Sequence, residues 1–537
     1  MKIRFLAAAV PGLASLWLSF PVSALDGEPF IHDPSTVMQC EGRFYTFGTG
    51  GGGLISDDGW TWHRGAVRPG GGAAPDAIKI GDRYLVAYGA TGGGLGGGHN
   101  GRILTMWNKT LDPNSPDFKY SEAVVVASSD GVEDCDAIDP SLLLDPTDGR
   151  LWLTYGTYFG YIRLVELDPK TGQRAAGNEA INIAIDCEAT ALIYRDGWYY
   201  LLGTHGTCCN GATSTYNIRV GRSRKVTGPY LDNMGMDMLR GGGKLVVAAN
   251  GRCIGPGHFG LLDLGYGVQK FSCHYEADLD RGGRSVLDIR ALLWKNGWPV
   301  AGENFKGGIF EIESERSGYA LEMGVEPVFL GGGLGMRMGR GNRGGGPGAA
   351  DANAAGTRAG PMASRGGNAP ADANGTPGGR GGRRGGGFGG GLFGANLPMT
   401  PIPGQDVNDV ARNWPAGTLG VRIGDYMLLA HQKWTIMPVP SAGGYPGSPY
   451  FKIAIAGTDR TLAVTDDAEV VAVPAFTGRP EQLWRIDQLT DGTWRIMPKL
   501  AADSKAPLAL TAVGASTPSL AEFDPNSDKA RWNLKTP

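Results

Sequence analysis

The sequence predicts an all-β protein: a five-bladed β-propeller followed by a β-trefoil-like domain that carries a disordered glycine-rich insertion. Five units with short aromatic and β-branched strands recur through the N-terminal half, and this repetition is typical of a radial propeller. Three further units that end in tryptophan follow, and a low-complexity stretch interrupts them. We therefore assign residues 25–303 to the propeller, 306–537 to the trefoil and 330–397 to the insertion, after a signal peptide at 1–24.

The first 24 residues are typical of a secretory signal. A basic start precedes an apolar run from residue 5 to about residue 20, and small residues follow at 22–24. The mature chain is expected to begin near Leu25, in a secreted or periplasmic protein. No later segment has the ~20 apolar residues needed to cross a membrane, so we expect no membrane partner.

Composition narrows the choice of partner. A chain of 537 residues with 42% hydrophobic residues is long enough for two folded domains. The net charge of −3 and the scattered lysines and arginines give no basic surface for nucleic acid. A monomer that acts on a polar, largely uncharged polymer is expected.

Seven cysteines make disulfides possible in an exported chain, although the odd count leaves at least one thiol outside intramolecular pairs. The adjacent pair Cys208 and Cys209 is unusual. No Cys-x-x-Cys pair occurs, which argues against a structural zinc site of the usual kind.

One strand in each propeller unit is rich in aromatic and β-branched residues and is bounded by turn residues. These strands are predicted at 42–48, 82–89, 149–156, 197–203 and 268–275. A carboxylate stands ahead of the first four, and a Gly-Pro-Gly-His motif opens the fifth; the residues are Asp33, Asp76, Asp139, Glu188 and His258.

The carboxylates are candidates for catalysis because the first strand of each propeller blade lines the central channel. Asp33, Asp139, Glu188 and His258 are therefore expected to lie close together although they are distant in sequence. Carboxylates that converge on one place are what glycosidic bond cleavage requires. Taken singly, an Asp-Pro pair more often only begins a turn.

The insertion at 330–397 consists largely of glycine, alanine, arginine, proline and asparagine. Such a composition cannot bury enough apolar surface to offset its ordering entropy, so we expect a disordered surface loop. An RNA-binding role of the arginine-glycine type is the alternative, and export of the chain disfavours it.

The C-terminal series has three units that end in Gln432-Lys433-Trp434, Gln482-Leu483-Trp484 and Ala530-Arg531-Trp532. A Gln-x-Trp at the end of each unit resembles the ricin-type β-trefoil, in which the tryptophan packs in the shared core. The third unit has alanine where glutamine is usual and the insertion splits the first, so a sugar site is expected, if anywhere, in the second.

Residues from about 28 to 300 resemble the arabinan endo-1,5-α-L-arabinosidases of glycoside hydrolase family 43. The motifs that carry the resemblance are His-Asp-Pro-Ser at 32–35, Ala-Ile-Asp-Pro-Ser at 137–141, Leu-Val-Glu-Leu-Asp-Pro-Lys-Thr-Gly at 164–172, the stretch from Cys-Cys-Asn-Gly to Val-Gly-Arg-Ser at 208–223, Gly-Pro-Gly-His at 255–258 and Arg-Ala-Leu-Leu-Trp at 290–294. The two long motifs are the specific ones.

The resemblance implies hydrolysis with inversion, with Asp33 as general base, Glu188 as general acid and Asp139 as the residue that orients the acid and raises its pKa. An inverting enzyme needs this division because it deprotonates water on one face of the sugar and protonates the leaving oxygen on the other. The base and acid should then lie roughly 6.5 to 9.5 Å apart. The charge of Asp139 would keep Glu188 protonated near neutral pH.

The resemblance also implies a sugar cleft and an ion. His258 matches a position that faces a central ion, expected to be calcium with mostly water ligands; a hydrogen-bonded core histidine is the alternative. The residues expected to contact arabinan or pectin side chains are Asp33, Asp136, Ala137, Ile138, Asp139, Tyr158, Phe159, Gly160, Cys208 and Cys209.

Departures from the family pattern leave the exact activity open. Glycine and alanine precede Ala74 where tryptophan is usual, and Phe159-Gly160-Tyr161 replaces Trp-Ser-Gly in the cleft turn. An exo-acting arabinofuranosidase or a β-xylosidase is therefore an alternative to an endo-acting enzyme. A non-catalytic carbohydrate-binding propeller is a third, although a binding module has no need of three carboxylates.

Overall fold

The computed structural model describes residues 25–90, 99–129, 131, 134–325, 414–502 and 507–537. All of them belong to one compact unit, within Met1–Val325 and Val407–Pro537. The predicted signal peptide at 1–24 and the predicted insertion at 330–397 lie outside the described residues.

Five separate sheets form the five blades of a β-propeller, as predicted. Blade 1 contains β1 (Asp26–Gly27), β2 (Met38–Cys40), β3 (Arg43–Phe47), β4 (Gly52–Ser56) and β5 (Thr61–Val67), and blade 2 contains β6 (Ala73–Ile80), β7 (Arg83–Ala90), β8 (Arg102–Asn108) and β9 (Val124–Ser128). Blade 3 contains β10 (Ser141–Leu144), β11 (Leu151–Tyr155), β12 (Ile162–Leu167) and β13 (Ile181–Ala184). Blade 4 contains β14 (Glu188–Arg195), β15 (Trp198–His205), β16 (Asn217–Ser223) and β17 (Lys244–Val247), and blade 5 contains β18 (Cys253–Asp263), β19 (Gln269–Asp278), β20 (Arg284–Lys295) and β21 (Trp298–Ala301).

The predicted aromatic strands correspond to β3, β7, β11, β15 and β19, the second strand of each meander. The strands nearest the axis are the ones before them, β2, β6, β10, β14 and β18, which contact one another in sequence around the propeller. The aromatic strands are buried between neighbouring blades, which is why they carry the strong hydrophobic pattern.

Every blade has a residue with left-handed backbone in its innermost strand or shortly before it. The residues are Asp33, Ala74, Asp139, Ala189 and His258, with φ between 43° and 57°. By this criterion Asp33, Asp139 and His258 occupy equivalent positions, whereas Glu188 stands one residue earlier and Asp76 two residues later. The carboxylate series seen in the sequence is therefore not a strict structural repeat.

Asp76 is structural. Its carboxylate accepts hydrogen bonds from the backbone N–H of Thr36 at 3.0 Å and of Leu142 at 2.9 Å. The side chain of this blade 2 residue thus joins the backbones of blades 1 and 3. Because both carboxylate oxygens are used in these bonds, we assign Asp76 no catalytic role.

The C-terminal region is a ricin-type β-trefoil. Its strands are β22 (Gly308–Ser314), β23 (Ala320–Met323), β24 (Leu419–Gly424), β25 (Trp434–Pro438), β26 (Gly444–Tyr445), β27 (Ser448–Pro449), β28 (Phe451–Ile455), β29 (Thr461–Val464), β30 (Val470–Val473), β31 (Trp484–Gln488), β32 (Trp494–Pro498), β33 (Leu508–Thr511), β34 (Ser519–Glu522) and β35 (Trp532–Lys535). One α-helix turn, α1 (Lys499–Ala502), and 3₁₀ turns at Gly211–Thr213, Met238–Arg240, Leu279–Arg281, Ala430–Gln432, Pro440–Ala442 and Pro480–Gln482 complete the described elements.

The three repeated tryptophans form the trefoil core, as expected. Trp434, Trp484 and Trp532 are fully buried. Each indole N–H donates to a backbone carbonyl, of Leu321 at 2.7 Å, Leu462 at 3.0 Å and Leu510 at 2.9 Å respectively. The same bond in each unit shows the approximate three-fold symmetry, and because it consumes the indole N–H, these tryptophans have no free polar edge for a ligand.

The trefoil packs directly on blades 1 and 5. The backbone N–H of Gly447, in the β26–β27 turn, donates to Gly59 in blade 1 at 3.0 Å, and Trp294 in blade 5 donates to Thr490 at 2.8 Å. A buried lysine, Lys270 of β19, donates to the carbonyl of Pro446 in the same turn. The trefoil thus spans the junction between the first and last blades.

Among the helices that the described residues form, none is long and apolar enough to span a membrane.

Candidate active site

The three candidate carboxylates lie at one end of the propeller axis. Asp33 and Asp139 precede the innermost strands of blades 1 and 3, and Glu188 is the first residue of β14. Their residues are 8%, 7% and 7% exposed, so each carboxyl group is largely removed from bulk water. The left-handed backbone at Asp33 and Asp139 is a conformation that Asp adopts more readily than most residues, and it turns the chain into the strand.

Asp33 is surrounded by polar side chains. Thr49 donates its hydroxyl to Oδ2 at 2.5 Å, Nδ1 of His32 lies 2.9 Å from Oδ2, and Nδ1 of His258 lies 3.2 Å from Oδ1. Burial opposes ionisation, but the contacts with His258 and His32 hold the pKa of Asp33 well below its usual range. Asp33 is therefore a carboxylate throughout the neutral range and can accept a proton.

A further buried carboxylate, Glu276 of β19, lies near Asp33 and is linked to it through His32. It was not predicted from the sequence. Its Oε1 accepts from Nε2 of His32 at 3.1 Å and from the backbone N–H of Cys209 at 3.1 Å. Burial would raise the pKa of Glu276, but its contacts with His274 and His32 lower it. His32 thus connects two ionised carboxylates, Asp33 and Glu276.

The position of His32 between two carboxylates determines its charge. Burial lowers its pKa, but the hydrogen bonds and charges of Asp33 and Glu276 outweigh burial and raise the pKa of His32 to about 10. At neutral pH the ring is an imidazolium that donates from both nitrogens. It stacks on His274, with ring centroids 4.6 Å apart.

His274 fixes the backbone at Asp33. Its Nδ1 accepts a hydrogen bond from the N–H of Asp33 at 3.0 Å, so the ring proton is assigned to Nε2, which faces Glu276 Oε1 at 3.6 Å. His274 and Glu276 stand two residues apart on β19, on the same face of the strand. This i, i+2 spacing of two polar residues inside a buried strand is a sequence signal that could have indicated them.

Glu188 accepts two hydrogen bonds, one on each oxygen. Thr157, after β11, donates to Oε2 at 2.8 Å, and Tyr216, before β16, donates to Oε1. Burial raises the pKa of Glu188 to about 7, with the charges of Asp33 and Glu276 acting in the same direction and the two hydrogen bonds opposing them. Glu188 therefore carries a proton for part of the time at neutral pH, unlike Asp33.

Asp139 completes the group. Its Oδ2 accepts from the backbone N–H of Ala189, the residue after Glu188, at 3.2 Å. Burial and the charges of Glu188 and Asp33 raise the pKa of Asp139 well above its usual value. Because two ionised carboxylates in a dry site repel, the pair Asp139 and Glu188 retains a proton that Asp33 does not.

His258 lies on the axis between blades 4 and 5. Its backbone N–H donates to Thr204 at 3.2 Å, and burial lowers the pKa of its ring to about 4, so the ring is neutral. The side-chain atoms near His258 that could bind a metal are mainly ring nitrogens, from His32 and His274; Asp33 supplies oxygen. Calcium prefers oxygen ligands, so these side chains fit a calcium ion only if water supplies most of its ligands.

Four of the expected sugar-contacting residues lie beside Glu188 and Glu276. Tyr158 and Phe159 follow Thr157, with ring centroids 4.7 Å apart, and Phe159 is 39% exposed. Cys208 and Cys209 are joined by a disulfide in the loop after β15. This part of the site presents exposed apolar surface of the kind that stacks on sugar rings.

The other expected contact residues occupy the junction of blades 2 and 3. A side chain at Gly160 would meet the carbonyl of Asp134 at 2.1 Å, so the turn requires glycine there. The backbone of Ala137 lies so close to Gly101 that a side chain at position 101 would collide with the Ala137 carbonyl. The N–H of Ala137 donates to the hydroxyl of Ser129 at 3.2 Å. The remaining two are Asp136, which is 1% exposed, and Ile138, whose side chain lies against Gly89.

A cleft of about 390 Å³ lies along blade 1, with His32 and Thr49 among its lining residues. Residues of the paired strands β4 and β5, among them Gly53, Arg64 and Gly65, also line it. The volume is in the range of small-molecule binding sites.

Comparison with known proteins identifies the family. The profile of glycosyl hydrolases family 43 matches residues 32–299, and the profile described as ricin-type beta-trefoil lectin domain-like matches residues 430–519. An extracellular exo-α-(1→5)-L-arabinofuranosidase of Cellvibrio japonicus is 33% identical over 263 residues, which are 42% of this chain and 74% of that protein. The chain belongs to glycosyl hydrolase family 43.

Other relatives of this family 43 enzyme are named as arabinanases. An extracellular endo-α-(1→5)-L-arabinanase of Bacillus subtilis is 36% identical over 182 residues, 33% of this chain and 54% of that protein. Among solved structures, an exo-1,5-α-L-arabinanase from a bovine ruminal metagenomic library is 33% identical and covers 51% of this chain and 97% of its own, with a TM-score of 0.47. The protein is therefore a glycoside hydrolase, and both exo- and endo-acting relatives resemble it.

Proposed function

We propose that this glycoside hydrolase cleaves α-1,5-L-arabinofuranosidic linkages of arabinan, including pectin side chains, with inversion at the anomeric carbon. The observation that carries the proposal is the opposite protonation of two neighbouring carboxyl groups: the pKa of Asp33 is held below its usual range and that of Glu188 is raised to about 7. One base and one acid in a shared buried site are the requirement for hydrolysis of a glycoside.

In the proposed reaction, Asp33 removes a proton from a water molecule as the water attacks the anomeric carbon. Glu188 gives its proton to the departing glycosidic oxygen, so the bond to the leaving sugar breaks and the leaving group departs as an alcohol. Asp139 forms with Glu188 a pair that retains a proton, and it accepts a hydrogen bond from the backbone N–H of Ala189. At the end Asp33 is protonated and Glu188 is ionised, and exchange with solvent restores both.

The activities for which the relatives are named support the linkage in this proposal. The Cellvibrio japonicus relative is named for exo action on α-(1→5) linkages and the Bacillus subtilis relative for endo action. Exo-acting arabinofuranosidase activity is therefore the second candidate.

Product analysis separates these candidates. Purified enzyme would be incubated with debranched linear arabinan, an aryl arabinofuranoside and xylan, and products followed with time. Arabinan oligomers of mixed length at early times support endo action, and arabinose or a single short oligomer supports exo action. Release of xylose alone would overturn the proposed substrate, and a product that first appears with retained anomeric configuration would overturn inversion.

The proposal includes three expectations from the sequence. The protein is exported, in keeping with two relatives that are named extracellular, and acts as a monomer. A calcium ion near His258 would be held through water and would add positive charge near Asp33. Equilibrium dialysis with calcium, comparing the wild type with His258→Ala, measures this binding directly.

A further inference from the structure

The disulfide between Cys208 and Cys209 lies against the charged cluster of the candidate site. Its loop follows β15, and the N–H of Cys209 donates to Oε1 of Glu276, the same oxygen that accepts from His32. One ligand atom from each of His32, Cys208, Cys209 and Glu276 lies within 4.8 Å of all the others. The disulfide therefore occupies one side of a compact set of four metal-ligating groups.

The two cysteines of this set are more accessible to solvent than Glu276 is. Cys209 is exposed and Cys208 half-buried, so a small thiol can reach the sulfur atoms, whereas Glu276 is buried. Of the remaining cysteines of the described residues, four are buried and Cys253 is half-buried, and none of them belongs to this set. A reductant that enters from solvent would therefore meet the Cys208–Cys209 bond at the site itself.

We propose that reduction of this disulfide by a small thiol opens a binding site for a thiophilic divalent cation such as zinc, with Cys208, Cys209, His32 and Glu276 as its ligands. Two molecules of thiol are oxidised to their disulfide, and their two hydrogens pass to the sulfurs of Cys208 and Cys209. The cation then displaces the two thiol protons and the proton on Nε2 of His32.

The donor set decides the class of metal. Two thiolates, one imidazole and one carboxylate are ligands that zinc takes in tetrahedral geometry. Calcium and magnesium prefer oxygen alone and would gain little from the two sulfurs. In the oxidised protein both sulfurs are bonded to each other and are poor ligands, because the thiolate is the metal-binding form. The site therefore exists only after reduction.

Metal binding would also switch off hydrolysis, and this consequence rests on the proposed function. His32 links Asp33 to Glu276 through its two nitrogens. A cation on Nε2 takes the place of the proton that is donated to Glu276 and occupies the side of the cleft next to Asp33. The reduced enzyme is expected to be active without metal and inactive with it.

The test uses the full-length enzyme, with cobalt(II) alone as a spectroscopic substitute for zinc. One sample is untreated; the other is reduced with dithiothreitol and freed of reductant under argon. We expect only the reduced sample to bind one cobalt ion per chain with a thiolate-to-metal charge-transfer absorption. The absorption should be absent in Cys208→Ser and Cys209→Ser and present in the matched control Cys253→Ser, which removes a free thiol outside the set.

The outcomes separate the metal site from the catalytic proposal. Failure of the reduced wild type to bind cobalt, or unchanged charge-transfer absorption in both serine variants, overturns the site. Zinc added to the reduced enzyme should abolish hydrolysis, and a chelator should restore it; bound metal with full activity overturns the switch while leaving the site. If the untreated enzyme hydrolyses no arabinoside, the proposed function fails, and the cobalt measurement still decides whether the site exists.

Discussion

The hydroxyl of Tyr216 donates a hydrogen bond to Oε1 of Glu188 across the start of blade 4. A donor to a carboxylate stabilises its ionised form, so Tyr216 lowers the pKa of Glu188 against the larger effect of burial. The position of the proton on the proposed acid is thus set by opposing contributions that mutation can separate.

Tyr216→Phe removes the donor and keeps the ring. The pKa of Glu188 should rise above its present value of about 7, because the ionised form loses a hydrogen bond. Since the general acid works only when protonated, the alkaline limb of the kcat/KM profile should move to higher pH. A limb that stays in place, or moves to lower pH, would contradict the role given to Glu188.

Asp139→Asn should move the same limb in the opposite direction. Asp139 and Glu188 titrate together, and the last proton to leave the pair is retained because two ionised carboxylates would repel; with Asn at 139 this repulsion is absent, so the upper pKa of the pair falls. Activity should then be lost at lower pH than in the wild type, and maximal turnover should also fall because Asp139 supports the backbone at Ala189. The pair Tyr216→Phe and Asp139→Asn therefore gives shifts of opposite sign, measured as pH–rate profiles on one arabinoside.

Asp33→Asn and Glu188→Gln should each lower the rate by a factor on the order of 10² to 10⁴, the usual contribution of general acid or base catalysis. Asp76→Asn is the matched control, since Asp76 comes from the same sequence series but only joins backbones of blades 1 and 3. It should lower the unfolding temperature while the folded enzyme keeps its turnover. Near-normal activity in either of the first two variants would remove that residue from the mechanism.

Glu276→Gln tests the charge of His32. With only Asp33 left as a carboxylate partner, the pKa of His32 should fall below its present value of about 10. His32 stays protonated in the acidic range where Asp33 titrates, so the acidic limb of the pH–rate profile should stay in place. The alkaline limb should move to lower pH, because the charge of Glu276 also raises the pKa of Glu188. A profile of unchanged width would show that the cluster does not control Glu188.

The fold could be predicted from the sequence because the residues that repeat in the propeller and in the trefoil are the buried ones. The aromatic strands β3, β7, β11, β15 and β19 are enclosed by neighbouring blades, and Trp434, Trp484 and Trp532 are enclosed by the trefoil. The innermost strands were harder to place, since β6, β14 and β18 contain bulges and carry polar residues that interrupt the hydrophobic pattern. For the same reason the equivalence of Asp33 with Ala74 and Ala189 appears only in the backbone angles.

The site was predictable only where a motif stood in the sequence. Asp33, Asp139 and Glu188 were found by motif, and the structure brings them together at one end of the axis. Glu276, His274 and Tyr216 were not predicted as site residues, because each lies in or beside a strand whose other residues have the pattern of a buried core strand. Their contacts with Asp33 and Glu188 join residues more than 25 positions apart, which a single sequence does not show.

The last prediction concerns the trefoil. Two interpretations were open from the sequence: a module that holds polymeric substrate, or a structural support for the propeller. The trefoil donates to Gly59 in blade 1 and accepts from Lys270 and Trp294 in blade 5. A side chain at Gly447 would meet the carbonyl of Ile289 at 2.6 Å, so the two parts are in close contact at this turn. These contacts favour structural support.

Deletion of everything after Gly307 should therefore lower the unfolding temperature and reduce activity equally on a small aryl arabinofuranoside and on insoluble arabinan. The deletion exposes the apolar surface around Val268, and leaves Lys270 without its carbonyl acceptor, so the junction of blades 1 and 5 loses its cover. Removal of residues 331–395 alone is the control; its glycine-rich composition predicts little change in either property, because loop-closure entropy varies slowly with length. Full activity on the small substrate with a selective loss on insoluble arabinan would instead assign the trefoil to substrate binding, since only the polymer would depend on it.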